Sequence, residues 1–494
     1  MGLKEISTIT IDNKYCKISN EDNKEFLSRL DKLLSFKYVG AEFTPAYKNY
    51  GWDGKEYLLS KKLMFMTGLL DLVLTFYKDN ERSIDIVDNR IKFESNESID
   101  ILPNLLKHGI TPYDYQLAAI DHAVANDIMI FKHATGSGKS ITAALIAAKF
   151  NKPTIVYVIS KELLFQFQKS FSEYFDQKIG IVGAGHFDIQ NITIVSIWTL
   201  GKMLGLKKQD IVIDSDQDED DDFTEQNKAK LIDFVKTCSV HLFDECHVAA
   251  AKTIQNIYKV IGNGKIFGFS GTPVRDDGAD LLIRGIFGPK IDEVSASELI
   301  KRGILAKPFI KFVYIKGSAK FTDTYQTVYS SNIVVSHYRN SIIVNEVKKL
   351  LDKGYQVLIL YRTIKHGKLL YDICLDRKID CELLNGKDSE AKRSSVKERL
   401  LNKELNCLVA SMIYDIGIDV PTLNALVLSG SGKSSVKTLQ RIGRVIRNGK
   451  EKPYAAVVDF IDDVKFLKKH SKIRKEIYAS EPEFEIRIPN NVKF

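Results

Sequence analysis

Eight consecutive residues, His133, Ala134, Thr135, Gly136, Ser137, Gly138, Lys139 and Ser140, have the types and spacing needed to cradle a phosphate. Glycines let successive backbone N–H groups turn inward around phosphate oxygens, a lysine reaches the terminal phosphates, and a serine hydroxyl can ligate magnesium. The stretch is entered from the apolar run DIMIFK and leaves into the helix-forming ITAALIAAKF. Strand, loop and helix N-terminus therefore arrive in the order that anion binding requires. The strict P-loop pattern would place glycine at His133, so this is an ATGSGKS variant. The pentapeptide GSGKS recurs at Gly430–Ser434 after ALVLSG. Only the first copy is followed by a strand that ends in paired carboxylates, so phosphate binding is assigned to it and the second copy is read as a decoy.

Those carboxylates are Asp244 and Glu245, which cap the apolar strand SVHLF and are followed by Cys246 and His247. One acid at the end of a strand neighbouring the phosphate loop can hold magnesium, and the next can orient and deprotonate an attacking water. His247 is either a packed core histidine or a relay out of that site.

The elements that must position these groups follow a parallel α/β pattern. DIMIFK, PTIVYVIS, ITIVSIW, SVHLFD and KIFGFS are continuous apolar strands separated by segments of helical length, as in a parallel sheet covered on both faces. The pattern restarts with YQVLILYR, CELLNG, NCLVASM, ALVLSG and YAAVVDFID. The expected fold is α/β, with two tandem RecA-like lobes and a small N-terminal α+β domain. The expected divisions are residues 1–100 for the N-terminal domain, 101–295 for lobe one with an acidic insertion at 211–226, 296–456 for lobe two, and 457–494 as a basic extension.

A chain of 494 residues exceeds one ordinary core. Lysine plus arginine minus aspartate plus glutamate is 71 − 63 = +8, and removing the eight acids of Asp214–Glu225 leaves +16. That excess suits a polyanionic partner. The acidic run itself reads as a solvated insertion. Its other reading is a nucleic-acid mimic. The six cysteines form no CxxC pair, and buried reduced thiols are expected. No apolar run is long enough to span a bilayer and the start carries no signal peptide, so a cytoplasmic protein without membrane partners is expected, with a monomer favoured.

With these residues in view, the chain resembles superfamily 2 helicases over roughly residues 108–460. ATGSGKS resembles motif I, DECH motif II, and Ser270-Gly271-Thr272-Pro273 motif III. SMIYDIGIDVP from Ser411 to Pro421 resembles motif V and QRIGRVIR from Gln440 to Arg447 motif VI. Within the superfamily, DECH, SGTP and the N-terminal FTPAYKNYGWDGKEYLL are most similar to the UvsW-like helicases of large phages, which would place the protein in a bacterial host. The resemblance implies ATP and Mg2+ as cofactors, with Ser140 and Asp244 on the metal. It implies Arg444 and Arg447 as fingers on the transferring phosphoryl group, Gln440 at the terminal phosphate or its water, Gly417 and Asp419 as nucleotide sensors, and Gln116 in TPYDYQ at adenine.

The same resemblance implies a grip on the nucleic-acid backbone by Ser160, Gln166, Ser196, Trp198, Thr199, Arg362 and Ser411. Ile159 departs from the proline common at its position. Separately, Tyr47, Lys48, Tyr50, Trp52 and Lys55 interleave aromatics with lysines, which suits base stacking or else a small core cluster. The implied activity is ATP-dependent remodelling of branched DNA in recombination, repair and replication, by fork regression, Holliday-junction branch migration and unwinding of R-loops with their RNA–DNA hybrid. The alternatives are an RNA helicase and the translocating subunit of a restriction complex.

Overall fold

The computed structural model describes residues 6–206, 223–247, 251–272, 278–320, 322–386, 388–411, 422–430 and 453–490, with Val420, Gly432, Leu439 and residues 441–443. Gly417, Asp419, Gln440, Arg444, Arg447, Pro273 and residues 207–222 of the acidic insertion lie outside them. The chain divides into two compact units, one running to Glu293 and the other starting at Val294.

The first unit opens with a small α+β sheet of β1 (Ser7–Ile11), β2 (Tyr15–Ser19), β5 (Met64–Met66) and β6 (Ile84–Asp88), ordered β5-β2-β1-β6. Two helices, Lys24–Leu33 and Leu70–Asp79, pack on it, and Phe26 of the first meets Tyr77 of the second edge-on at 4.8 Å. Between β2 and β5 the chain makes an excursion through the two-stranded β3 (Ser35–Lys37) and β4 (Lys55–Tyr57).

The same unit continues as an eight-stranded sheet built from β7 (Ile128–His133), β8 (Thr154–Val158), β9 (Gly180–Gly183), β10 (His186–Asp188), β11 (Ile192–Ser196), β12 (Val240–Asp244), β13 (Lys265–Phe269) and β14 (Ile291–Val294). The order is β10-β9-β11-β8-β12-β13-β7-β14. β9, β11, β8, β12, β13 and β7 pair in parallel. Every residue of β8, β11, β12 and β13 is buried, which is why these strands read as unbroken apolar runs. The helix Lys139–Phe150 is rich in alanine, a strong helix former, and buries Ala143 through Ala148.

The second unit carries β15 (Lys307–Lys316), β16 (Val357–Tyr361), β17 (Glu382–Leu384), β18 (Cys407–Ser411), β19 (Ala425–Leu428), β20 (Tyr454–Asp463) and β21 (Glu485–Arg487), ordered β17-β18-β16-β19-β20-β15-β21 with parallel pairing throughout. β20 runs across the expected division at residue 456. The basic tail beyond it packs into this lobe: the helix Leu467–Ala479 buries Leu467, Ser471, Arg474 and Tyr478. Arg474 Nε donates to Asp459 at 2.8 Å, and Tyr478 Oη donates to the same carboxylate at 2.6 Å. A second buried pair joins Arg339 to Asp462 at 2.7 Å, with Arg339 Nη1 donating to the Ser429 carbonyl at 2.7 Å. Removing one partner of such a pair strands a buried charge, at a cost of about 3–5 kcal/mol.

All six cysteines are buried and none is in a disulfide. No described helix is long and apolar enough to cross a membrane.

His366 is fully buried, with Nε2 on Asn340 Oδ1 at 3.0 Å, and burial lowers its pKa to about 3, with the Arg339 charge adding to the effect. The unfolded chain therefore takes up this proton first, and stability is lost as pH falls below the ordinary histidine value toward the folded one. Replacing His366 with glutamine should flatten that loss by about 1 kcal/mol per pH unit, measured by urea unfolding between neutral pH and about pH 4.5.

Candidate active site

In lobe one, β12, β13 and β7 lie side by side, with Asp244 opposite Phe269 and Phe269 opposite Phe131. Their carboxyl ends deliver the phosphate loop after β7, the two acids at the end of β12 and Ser270 after β13 to one rim. Gly136 and Gly138 adopt left-handed φ values of 90° and 80°, the conformation glycine supplies without strain. Lys139 begins the following helix, and its Nζ lies 3.3 Å from Glu245 Oε1.

Asp244 and Glu245 are neighbours in sequence with different surroundings. Asp244 is buried, and desolvation raises its carboxyl well above the ordinary value, with the Glu245 charge adding and Lys139 opposing. Glu245 leaves the strand at φ 48°, a left-handed geometry that costs a non-glycine residue about 1 kcal/mol or more. That turn carries its carboxylate to Lys139. Cys246 tucks over Gly268 of β13, where a Cβ would stand 2.9 Å from its sulfur.

His247 joins the acids to the next strand. Its Nδ1 lies 2.7 Å from Ser270 Oγ and 3.5 Å from Glu245 Oε2, and the ring is 6 % exposed. Ser270 Oγ also accepts the Thr272 N–H at 3.0 Å. The first two sequence motifs and the start of the third thus form one connected polar cluster.

Gln116 sits beneath the phosphate loop, 1 % exposed. Its Oε1 accepts the Tyr113 N–H at 2.9 Å and its Nε2 donates to the Gly138 carbonyl at 3.3 Å. A Cβ on Gly138 would collide with that amide. His133, which stands in place of the usual glycine, is buried and pairs through Nε2 with Asp292 Oδ2 at 2.8 Å. Thr135, Ser137 and Ser140 lie on the loop and the first helical turn as the sequence places them.

The residues expected along a nucleic-acid track fall in three places. Ser160 and Ser196 cap helices, accepting from the N–H groups of Leu163 and Thr199. Gln166 is exposed on the first of these helices, Trp198 is half-buried with Nε1 donating to the Ile159 carbonyl at 3.2 Å, and Thr199 is buried. That bond fixes the turn at Ile159. In lobe two, Ser411 closes β18 beside Tyr361 of β16, is 3 % exposed, and its buried Oγ has no partner among the described residues. Arg362 is exposed, with its guanidinium 5.6 Å from the Tyr329 ring centroid.

In the N-terminal excursion, Trp52 is half-buried against Tyr38 and its indole N–H donates to the Lys55 carbonyl at 2.9 Å. The rings most open to solvent are Phe43, 75 % exposed, and Tyr50, 81 % exposed. Phe43 lies in the same aromatic and basic segment, but only the folded chain separates its outward rings from its packed ones.

Known proteins bear on this geometry in both halves. Residues 109–275 match the family described as "Type III restriction enzyme, res subunit", and residues 341–449 match "Helicase conserved C-terminal domain". The ATP-dependent DNA helicase uvsW of Enterobacteria phage T4 is 26% identical over 473 residues, covering 90% of this chain and 89% of that protein. The DNA 3'-5' translocase XPB2 of Sulfurisphaera tokodaii is 24% identical over 402 residues, covering 73% of this chain and 84% of its own length. Among solved structures, S. cerevisiae Dbp5 bound to RNA and ADP BeF3 superposes with TM-score 0.55 at 14% identity, over 79% of this chain and 93% of that one, which establishes the shared two-lobe architecture. With the phosphate loop, the carboxylate pair and both helicase regions in order along one chain, the protein is a superfamily 2 helicase, an ATP-hydrolysing motor related to UvsW.

Proposed function

We propose that this motor remodels branched DNA and that its N-terminal domain engages the branch. The observation that carries the reading is the pair of large rings, Phe43 and Tyr50, held in solvent on a short excursion that also bears Lys37, Lys48 and Lys55. Burying such rings is favourable, and leaving two exposed beside lysines suits unstacked bases flanked by phosphates. The similarity to a phage DNA helicase over nine-tenths of the chain supports DNA as the polymer.

In the ATPase cycle we assign Lys139 to the terminal phosphates and Glu245 to the attacking water, from which it takes the proton. The 3.3 Å contact lets Lys139 hold Glu245. Gln116 braces the phosphate loop through the Gly138 carbonyl, and an adenine role for it would use the same amide. Hard oxygen donors at Ser140 and at the buried Asp244 fit a divalent cation, which would offset the cost of ionising that carboxyl. Magnesium bound there would neutralise charge on the phosphates. Arg444 and Arg447 are assigned to charge on the transferring group, Gln440 to the terminal phosphate, and Gly417 and Asp419 to sensing the nucleotide. Ser160, Gln166, Trp198, Thr199, Arg362 and Ser411 are assigned to the tracked strand, and Trp52 and Lys55 to shaping the excursion that carries the two rings.

Lys139→Ala and Glu245→Gln should each lower ATP turnover by about 10²-fold or more while DNA affinity stays within about twofold, read by coupled ATPase assay and fluorescence anisotropy. Near-normal turnover in either sinks the assignment. The double change Phe43→Ala with Tyr50→Ala should weaken binding to forks and four-way junctions by about tenfold, with little effect on linear duplex, since each stacked base is worth about 1–3 kcal/mol. Stronger stimulation by RNA than by forked DNA, or an unchanged fork preference in the double variant, would count against branched DNA as the substrate.

A further inference from the structure

The helix Ala251–Val260 follows the motif II residues Asp244–His247, and the helix Asp280–Phe287 follows the start of motif III at Ser270. Both helices carry the N-terminal domain. Lys14, in the turn between β1 and β2, donates from Nζ to the Lys259 carbonyl at 3.2 Å and to the Ile261 carbonyl, at the C-terminal end of the first helix. A cation suits that end, where the last carbonyls lack helical partners and the helix dipole is negative. The contact is reciprocal: Tyr258 Oη donates to the Lys14 carbonyl at 2.6 Å, and the Tyr258 ring meets Tyr15 edge-on at 5.6 Å. Tyr258 is 1 % exposed, and burial draws the Lys14 ammonium down to about 8.

The second helix is held backbone to backbone. Any Cβ on Gly68 would collide with the carbonyl oxygens of Arg284 and Gly285, and a Cβ on Gly285 would stand 3.1 Å from Met66 Sδ. Asp71 forms an ion pair with Arg284 beside them. The excursion bearing Phe43 and Tyr50 is rooted at the same place, because Gly278, just before this helix, lies so close to the Lys37 carbonyl that a Cβ would come within 2.9 Å of it. The His247–Ser270 hydrogen bond ties the two motifs together.

We infer that the N-terminal domain is a positioning element of the ATPase: through Lys14, Gly68 and Asp71 it fixes the two helices that follow motifs II and III in the chain, and thereby the placement of Glu245. This rests on the assignment of Glu245 to water activation. A packed helix moves as a body, and Phe287 of the second helix meets Phe243 of β12, the strand that ends in Asp244, edge-on at 5.3 Å, so a shift in that helix reaches motif II by direct packing, and sub-ångström errors in a catalytic carboxylate lower turnover more than substrate affinity. The same route carries the state of the aromatic excursion to the hydrolytic site. Lys14 is a positioning residue and touches no substrate. On this reading, removal of residues 1–100 disturbs ATP turnover itself as well as branched-DNA preference.

The test uses the full-length chain with Lys14→Met, which keeps the aliphatic stem and removes the charge and its donors. At saturating single-stranded DNA, kcat should fall by about tenfold while KM for ATP and the DNA Kd each stay within about twofold. Lys14→Arg should restore most of the turnover, and Lys24→Met, on an exposed face of the same domain, should behave as the parent. Tyr258→Phe, which removes one hydroxyl, should shift kcat in the same direction and serves if Lys14→Met does not fold. Parental kcat in both Lys14→Met and Tyr258→Phe overturns the inference, and so does a loss spread equally over kcat, KM and Kd, which marks a merely structural contact. Glu245→Gln measured alongside separates the two readings. If it stays active, the water-activation assignment fails, and if it is inactive while Lys14→Met is normal, only the positioning role fails.

Discussion

The in-register parallel pairing of β12, β13 and β7 is the constraint on which the active site depends. Three strands begun at different points of the chain bring Phe131, Phe269 and Asp244 level, so groups drawn from residues 133–140, 244–247 and 270–272 gather at the same edge of the sheet. A slip of one residue in β12 would turn Asp244 out of its buried position and send its neighbour into the sheet. Full burial of β8, β11, β12 and β13 on both faces guards against that slip.

From this register follows the division of labour between two adjacent acids. Asp244 is the last residue of its strand and shares its desolvation, whereas the left-handed turn at Glu245 carries the next carboxylate toward Lys139. Environment separates their proton affinities, as it does in other paired carboxyl sites where one group stays charged and another resists ionisation. His247 and Ser270 then couple the pair to the neighbouring strand through a 2.7 Å hydrogen bond.

Much of this was legible in the sequence because a doubly covered parallel sheet prints itself as apolar runs. The five strand segments read in lobe one became β7, β8, β11, β12 and β13, and the five in lobe two became β16 to β20. The strands that escaped have weaker signatures. β9 is Gly180–Gly183 and β10 only His186–Asp188, while β15 alternates buried with more exposed positions and includes Pro308. The tail read only as a basic extension because its sequence shows Arg474 but not the Asp459 that receives it. Trp52 read equally as a stacking residue or as part of a small core cluster for a similar reason: composition locates a ring near lysines, but not the carbonyl that takes up its indole N–H. Lys14 gave no signal at all, since its partners are main-chain atoms far along the chain.

That last point has an evolutionary reading. Lys14 addresses the carbonyl oxygens of Lys259 and Ile261, and Gly68 abuts those of Arg284 and Gly285. The Lys14 contacts use no side-chain atom of Lys259 or Ile261, so correlated substitution between position 14 and those two should be faint even where the mechanical union is conserved. Its trace would be single-column instead: a persistent cation at position 14 and a persistent absence of side chain at position 68.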